Sequence, residues 1–313
     1  MRIRFGYVAI ALGLGKNITS SSTVTFTNYN KMSNDEERLN KLKKVTLGNL
    51  QALKKILEYN VEKNIHFYRM TSALIPLATH PEVKGWDYKK YFKKEFEEIG
   101  DIIKKFNIRV DAHPDQFNVI NSNRAEVVEA TKRNLIHFCE IFQLMGYEDY
   151  KLVLHVGGAT GGKEKALERF KNNFEVCDKK LKDKIIIEND DKTYTMKETL
   201  ELCESLNIPM VLDVHHHNCN NNGENISEYL VRIFDTWKDE KLPPKVHFSS
   251  PKDGIRDRKH HEYINVEEMK KFIDITKLMG ESFDIMIEAK MKDLAMLKVV
   301  SELKRSEFDI DIE

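Results

Sequence analysis

Six residues spread along the 313-residue chain are of the types that hold divalent cations: His113, His155, Glu188, Asp213, His247 and Glu288. Each closes a short, mostly apolar run, as in Leu152-Val153-Leu154-His155 and Ile185-Ile186-Ile187-Glu188. A carboxylate buried at such a place costs on the order of several kcal/mol unless something compensates it. A cation does so, because carboxylate and neutral imidazole are both ligands for first-row divalent metals. The densest stretch is Pro209-Met210-Val211-Leu212-Asp213-Val214-His215-His216-His217, an apolar strand that runs into a carboxylate and three imidazoles. Once His216 and His260 are added, the candidates exceed the roughly three to six protein ligands that one ion takes. A glutamate that bridges ions would suit two or three metals. Several ions a few ångströms apart clamp the attacking and leaving oxygens of an in-line phosphoryl displacement, so phosphoester hydrolysis is the chemistry this set favours. Imidazole and carboxylate without thiolate suit Mn, Zn and Fe about equally.

The elements that must position these residues are short apolar strands alternating with charged stretches of helical period. Strands are expected at Arg2 to Ile10, Ile65 to Met70, Ile108 to Pro114, Leu152 to His155, Lys184 to Asp190, Pro209 to Asp213, Lys245 to Ser250 and Phe283 to Glu288. Helices are expected over Asp35 to Asn60, Tyr88 to Phe106, Arg124 to Met145, from the glycine loop to about Leu181, over Met196 to Leu206 and near Leu294 to Leu303. Eight strand–helix units predict one (β/α)8 barrel, a TIM barrel of the α/β class spanning residues 1–313, with the metal site at the C-terminal ends of its strands. A doubly wound sheet would show a stronger glycine-rich loop than Gly13-x-Gly15. In a barrel the six strand ends converge on one face, which turns scattered residues into a cluster.

Other residues carry plainer readings. His66 and His137 read as ordinary core or surface histidines. Period-two alternation puts Lys245 on the face of His247, odd for a cationic site unless the lysine is at the rim, unprotonated or modified. The glycines from Gly157 to Gly162 could approach a phosphate or simply form a flexible turn. His215 and His217 read as supporting or solvent-facing groups.

Formal net charge is zero, from 50 basic and 50 acidic residues, which argues against nucleic-acid binding by bulk charge but not against a local basic groove. The four cysteines show no CxxC spacing, so a reducing cytoplasm is the expected location. The amino-terminal Met1-Arg2-Ile3-Arg4 and the apolar run after it read as a first strand rather than a signal peptide, and no run is long enough to span a bilayer.

With these residues in place, the chain resembles the ultraviolet damage endonuclease family, relatives of the endonuclease IV type of metal-dependent barrel. The resemblance runs from Gly6-Tyr7-Val8 to Glu288-Ala289-Lys290. It is carried by Ser72-Ala73-Leu74-Ile75-Pro76, His113-Pro114-Asp115-Gln116-Phe117, Leu154-His155-Val156-Gly157-Gly158, Glu188-Asn189-Asp190-Asp191, Asp213-Val214-His215-His216-His217 and Lys245-Val246-His247-Phe248-Ser249-Ser250. It implies a DNA repair enzyme with up to three metals, usually manganese, that nicks double-stranded DNA 5′ to ultraviolet photoproducts. By the same resemblance Glu188 bridges two metals, with Asp213, His247 and Glu288 on one and His113 and His155 on the other. His216 and His260 would hold a third. Glu188 and Lys245 take the catalytic roles, Lys245 matching a lysine that the family carries carboxylated. Gln116 and Phe117 match a pair inserted into the duplex at the lesion, with phenylalanine where tyrosine is common. Tyr7 matches an aromatic near the lesion pocket, and His80 a histidine at the site. Apart from the resemblance, Lys252, Arg256, Arg258 and Lys259 read as a solvated charge run by default, or as a source of nonspecific grip on DNA. No membrane and no obligate protein partner are expected.

The rival reading is a metal-dependent sugar isomerase or epimerase on the same barrel, which needs only one or two metals and no wedge pair. An abasic-site endonuclease is a narrower rival, and a damage-binding or metal-storage protein is the non-enzymatic one.

Overall fold

In the computed structural model, residues 1–15, 17–306 and 311–312 are described. Eight parallel strands form the sheet: β1 (Arg2–Val8), β2 (Phe67–Met70), β3 (Arg109–Ala112), β4 (Leu152–His155), β5 (Ile185–Glu188), β6 (Met210–Asp213), β7 (Lys245–Phe248) and β8 (Phe283–Ile287). They pair in chain order, and β1 closes the ring by pairing with both β8 and β2, Gly6 lying opposite Phe67 and Met286. A ninth short strand, β9 (Asp311–Ile312), runs beside the start of β1. The sheet with helices between its strands is the TIM barrel expected from the sequence. No described helix is long and apolar enough to cross a membrane.

Strand alternation sorts the barrel's contents. Val153, Ile186 and Val211 each sit two residues before a ligand-type residue, so they share its inward face and pack with Trp237 as a small core of their own. The other side of the interior is filled by charge. Lys245 Nζ donates to Asp111 Oδ2 at 3.1 Å, and Arg109 donates to Asp111 at 3.0 Å and to Asp284 at 2.7 Å. Arg4 adds two 2.7 Å bonds to Asp284. Gly6 lies in this packed interior: a Cβ there would meet the Phe67 carbonyl oxygen at 2.6 Å.

The long helix Asp35–Glu62 begins at Asn34, whose side chain accepts from the Glu37 N–H, and its first turn carries Asp35, Glu36 and Glu37 against the positive end of the helix dipole. It buries Leu42, Leu50, Leu53, Ile56 and Leu57 against the barrel. Helices Lys93–Lys105 and Ala125–Leu144 approach so closely that a Cβ on Gly100 would stand 1.7 Å from the Met145 carbonyl oxygen.

Three local expectations change. The single helix expected from Tyr88 breaks into Tyr88–Tyr91 and Lys93–Lys105, because Phe92 leaves helical geometry at φ −123° to bury its ring beside Trp86. Helices Ile226–Asp235 and Val266–Lys277 add to the expected set, and Asn225 and Asn265 mark their starts with side-chain caps. The triple-histidine stretch, given no element of its own by the sequence, forms helix Val214–Cys219, and the Asp213 side chain caps it by accepting the His216 N–H at 2.7 Å.

Candidate metal centre

The strand ends deliver the six ligand-type side chains to one mouth. His155, Glu188 and Asp213 are the last residues of β4, β5 and β6; His113 and Glu288 follow β3 and β8 directly, and His247 lies one residue inside β7. Their donor atoms form two groups within which every atom lies within 4.8 Å of the others: His113, His155 and Glu188, and Glu188, Asp213, His247 and Glu288. Glu188 belongs to both. Its Oε2 stands 3.1 Å from His113 Nε2 and 3.8 Å from His155 Nε2, while Oε1 stands 2.9 Å from His247 Nδ1 and 3.4 Å from His216 Nδ1. One buried carboxylate thus turns one oxygen to each group.

The electrostatics are those of a site built for positive charge. Burial works to raise the Glu188 carboxyl, but His247, His155 and the hydrogen-bonding His113 and His216 hold it well below the usual range. Burial also drives Asp213, and Glu188 and Glu288 add like charge, so its carboxyl lies well above the usual value. Burial lowers His247 to about 4, which keeps its imidazole neutral and able to donate a lone pair. Asp213 Oδ2 and His247 Nε2 are buried with no hydrogen-bond partner among the described residues, as is His155 Nδ1. Three carboxylates packed together with orphaned ligand atoms fit a divalent cation, which satisfies them and cancels their repulsion.

Supporting groups fix the ligands. Asn189 exchanges two hydrogen bonds with the Asp213 backbone, its Nδ2 donating at 3.0 Å and its Oδ1 accepting at 2.8 Å. Its own carbonyl lies 3.0 Å from His216 Nδ1. Arg69 donates to Glu288, and leads the causes that, against burial, hold that carboxyl below the usual range. Sequence reasoning missed Arg69 and Asp111. Asp111 was within reach, since it lies two residues before His113 and shares its face.

The remaining candidates separate. His216 packs against Glu188 and Asp213 Oδ2 (3.7 Å), while His260 places Nδ1 2.6 Å from the Glu288 carbonyl and sets its ring 5.3 Å from His215. Neither joins a group of three ligand atoms among the described residues. Lys245 is fully buried beneath His247 and pairs with Asp111; burial leads the fall of its amine to about 8. Its inward position is therefore satisfied by a carboxylate partner. Gln116 and Phe117 stand in the loop after β3, where Asp115 Oδ1 accepts the Phe117 N–H at 2.9 Å, and Phe117 is 76% exposed.

Tyr7 corrects the sequence reading. It is 0% exposed, with its hydroxyl donating to Asn60 Oδ1 at 2.7 Å in helix Asp35–Glu62. Alternation explains the difference: Gly6 and Val8 face the interior, so Tyr7 points outward into the helix layer and cannot line a lesion pocket. His80 stacks on Phe26 at a 3.9 Å centroid distance and joins neither ligand group. The glycine loop is pinned by Asn121, which donates to the Gly158 carbonyl at 2.6 Å, while Gly157 at φ 104° leaves no room for a Cβ.

Comparison with known proteins agrees with this geometry. The UV DNA damage endonuclease of Bacillus cereus (strain 03BB102) is 42% identical over 304 residues, covering 97% of this chain and 95% of that protein. The crystal structure of SacUVDE superposes with a TM-score of 0.86 at 34% identity, covering 97% of this chain and 99% of that one. Endonuclease IV from Thermus thermophilus, at 14% identity and a TM-score of 0.56 over 97% of this chain and 99% of that one, shares the fold. The model of the family described as UV-endonuclease UvdE matches residues 3–311, and the chain belongs to that family.

Proposed function

We propose that this chain is a DNA repair endonuclease that hydrolyses the phosphodiester immediately 5′ to ultraviolet photoproducts: cyclobutane pyrimidine dimers, 6-4 photoproducts and, as a further substrate, abasic sites. The observation that carries the reading is Glu188, shared between two ligand groups at the mouth of the barrel. Family membership supports DNA as the substrate.

Divalent metals, up to three and manganese by preference, would neutralise charge on the non-bridging and leaving oxygens and activate the attacking water. His113 and His155 would hold one ion with Glu188 Oε2, and Asp213, His247 and Glu288 another with Glu188 Oε1. His216 and His260 are the residues for a third. Asp213 keeps its angle through Asn189 and its N-cap bond to His216. Arg69 orients Glu288. As an ammonium paired with Asp111, Lys245 would add positive charge beneath the centre; carboxylated by carbon dioxide on its neutral amine, with loss of a proton, it would instead present an anionic carbamate to the metals. In the reaction the water oxygen bonds to phosphorus, the bond to O3′ breaks, and O3′ gains a proton as the water loses one. The products are a 3′-hydroxyl and a 5′-phosphate.

Lesion choice would be indirect readout. Dipyrimidine products stack and pair poorly, so turning them out of the helix costs less than for intact bases. Gln116 and the exposed ring of Phe117 would fill the gap. The test is incubation of irradiated and undamaged duplex with manganese-loaded protein, with the cut mapped on a sequencing gel and the new end tested for primer extension. An irradiated duplex left intact by folded, metal-loaded protein refutes the reading.

A further inference from the structure

Large apolar side chains exposed on this chain fall into two sorts. Tyr91, Ile136, Val176, Val231 and Leu278 lie on helices or at their C-terminal ends. Among the described residues only Phe117 and Ile255 lie in loops that follow strands, on the face of the metal centre. Strand order makes these two loops opposites: β3 and β7 are four steps apart in a ring of eight.

Ile255 is held out deliberately. After β7 the chain forms a hairpin, with Pro251 bridging His260 and the Lys252 N–H donating to the Lys259 carbonyl at 2.8 Å. At its tip the Asp257 N–H donates to the Gly254 carbonyl at 2.7 Å, and the Asp257 carboxylate accepts from the N–H groups of Asp253 (3.2 Å) and Lys259 (3.0 Å). Arg258 ties the hairpin to Asp191 in the loop after β5, and His260 ties its base to the Glu288 carbonyl at 2.6 Å. Ile255 takes the second position of the tip turn and is 70% exposed. Turn tips ordinarily take Gly, Pro, Asn, Asp or Ser, so an aliphatic β-branched residue here breaks the local rule without burying anything. Around it stand Lys252, Arg256, Arg258 and Lys259, against Asp253 and Asp257, which leaves the hairpin positive.

An apolar tip on a rigid, positive hairpin has the chemistry of a groove wedge: cations meet phosphates while the side chain unstacks a base step. We propose that Ile255 is a second duplex-probing residue, entering the DNA across the barrel mouth from Phe117, with Arg256 on a neighbouring phosphate. The inference rests on the DNA reading given above.

The experiment uses full-length, manganese-loaded wild type, Ile255→Ala, Ile255→Met and Arg256→Ala, with irradiated duplex carrying 2-aminopurine at the lesion-flanking step. Ile255→Ala weakens binding roughly tenfold and lowers the fluorescence rise of unstacking, with metal content, melting temperature and salt slope unchanged. Ile255→Met restores most of both signals. Arg256→Ala instead lowers the slope of log affinity against log salt by about one. Ile255→Ala matching wild type in affinity and fluorescence overturns the proposal while the DNA reading stands. Metal-loaded wild type that neither binds nor cuts irradiated duplex overturns the DNA reading, and the wedge with it.

Discussion

Replacing Asp213 by asparagine should invert a stability order when the metal is removed. Asp213 is fully buried, its Oδ2 has no hydrogen-bond partner among the described residues, and Glu188 and Glu288 crowd it within the same ligand group. In the metal-free protein an ionised Asp213 is therefore held at a cost. Asparagine keeps the oxygen that accepts the His216 N–H at 2.7 Å and offers an amide N–H in place of Oδ2, toward the neighbouring carboxylates. Relieving a buried, unsatisfied charged acceptor is worth about 2 kcal/mol. With metal the balance reverses. At a free concentration 1,000 times the dissociation constant, one site adds about 4.1 kcal/mol to the wild type. If loss of the charged ligand weakens that site about 100-fold, the variant gains only about 1.4 kcal/mol, so the wild type leads by roughly 1 kcal/mol. Urea unfolding with chelator and then with a fixed excess of manganese measures both differences. The pH dependence of the metal-free protein gives a second reading. The folded chain holds the Asp213 proton more tightly than the unfolded one, so wild-type stability contains a contribution that is lost as pH rises from near 3.8 through the raised value. The variant lacks it. A metal-free variant less stable than wild type, or one that binds manganese as tightly, refutes the reasoning.

Glu188→Gln should empty both ligand groups together, whereas His155→Ala should empty only the group it shares with His113; metal-to-protein ratios after gel filtration distinguish the two, and a full complement in Glu188→Gln would end the bridging argument. His137 gives an acid-stability prediction away from the metal centre. Burial lowers its imidazole from 6.5 to about 4, so the unfolded chain binds a proton that the folded chain refuses, and up to about 3 kcal/mol is lost as pH falls through that window. His137→Phe, which leaves the Tyr88 hydroxyl its 3.4 Å contact to Glu140, should flatten that part of the stability curve, measured by urea titration at pH 4 to 7.

The barrel and its candidate ligands at the strand ends are readable in one dimension because both depend on short-range order. Apolar runs of four or five residues ending in His, Glu or Asp mark a strand and its C-terminal end together, and eight of them alternating with helical stretches leave few topologies. Helices Ile226–Asp235 and Val266–Lys277 are less legible, because each start is marked by a single capping asparagine, Asn225 or Asn265, and by no capping box. Lys245 is anomalous in the sequence itself, but its partner is not legible there, because Asp111 lies 134 residues away.

The residue types at the strand ends, and hence the candidate ligands for divalent cations, were set by the sequence alone. So was the resemblance carried by motifs in order along the chain. Only the tertiary structure decided that Glu188 turns one oxygen to each of two groups, that Tyr7 faces the helices, and that Phe117 and Ile255 stand across one mouth. Pleat and periodicity are properties of neighbouring residues, whereas closure of the ring determines which distant strands share a face and how far apart their loops stand.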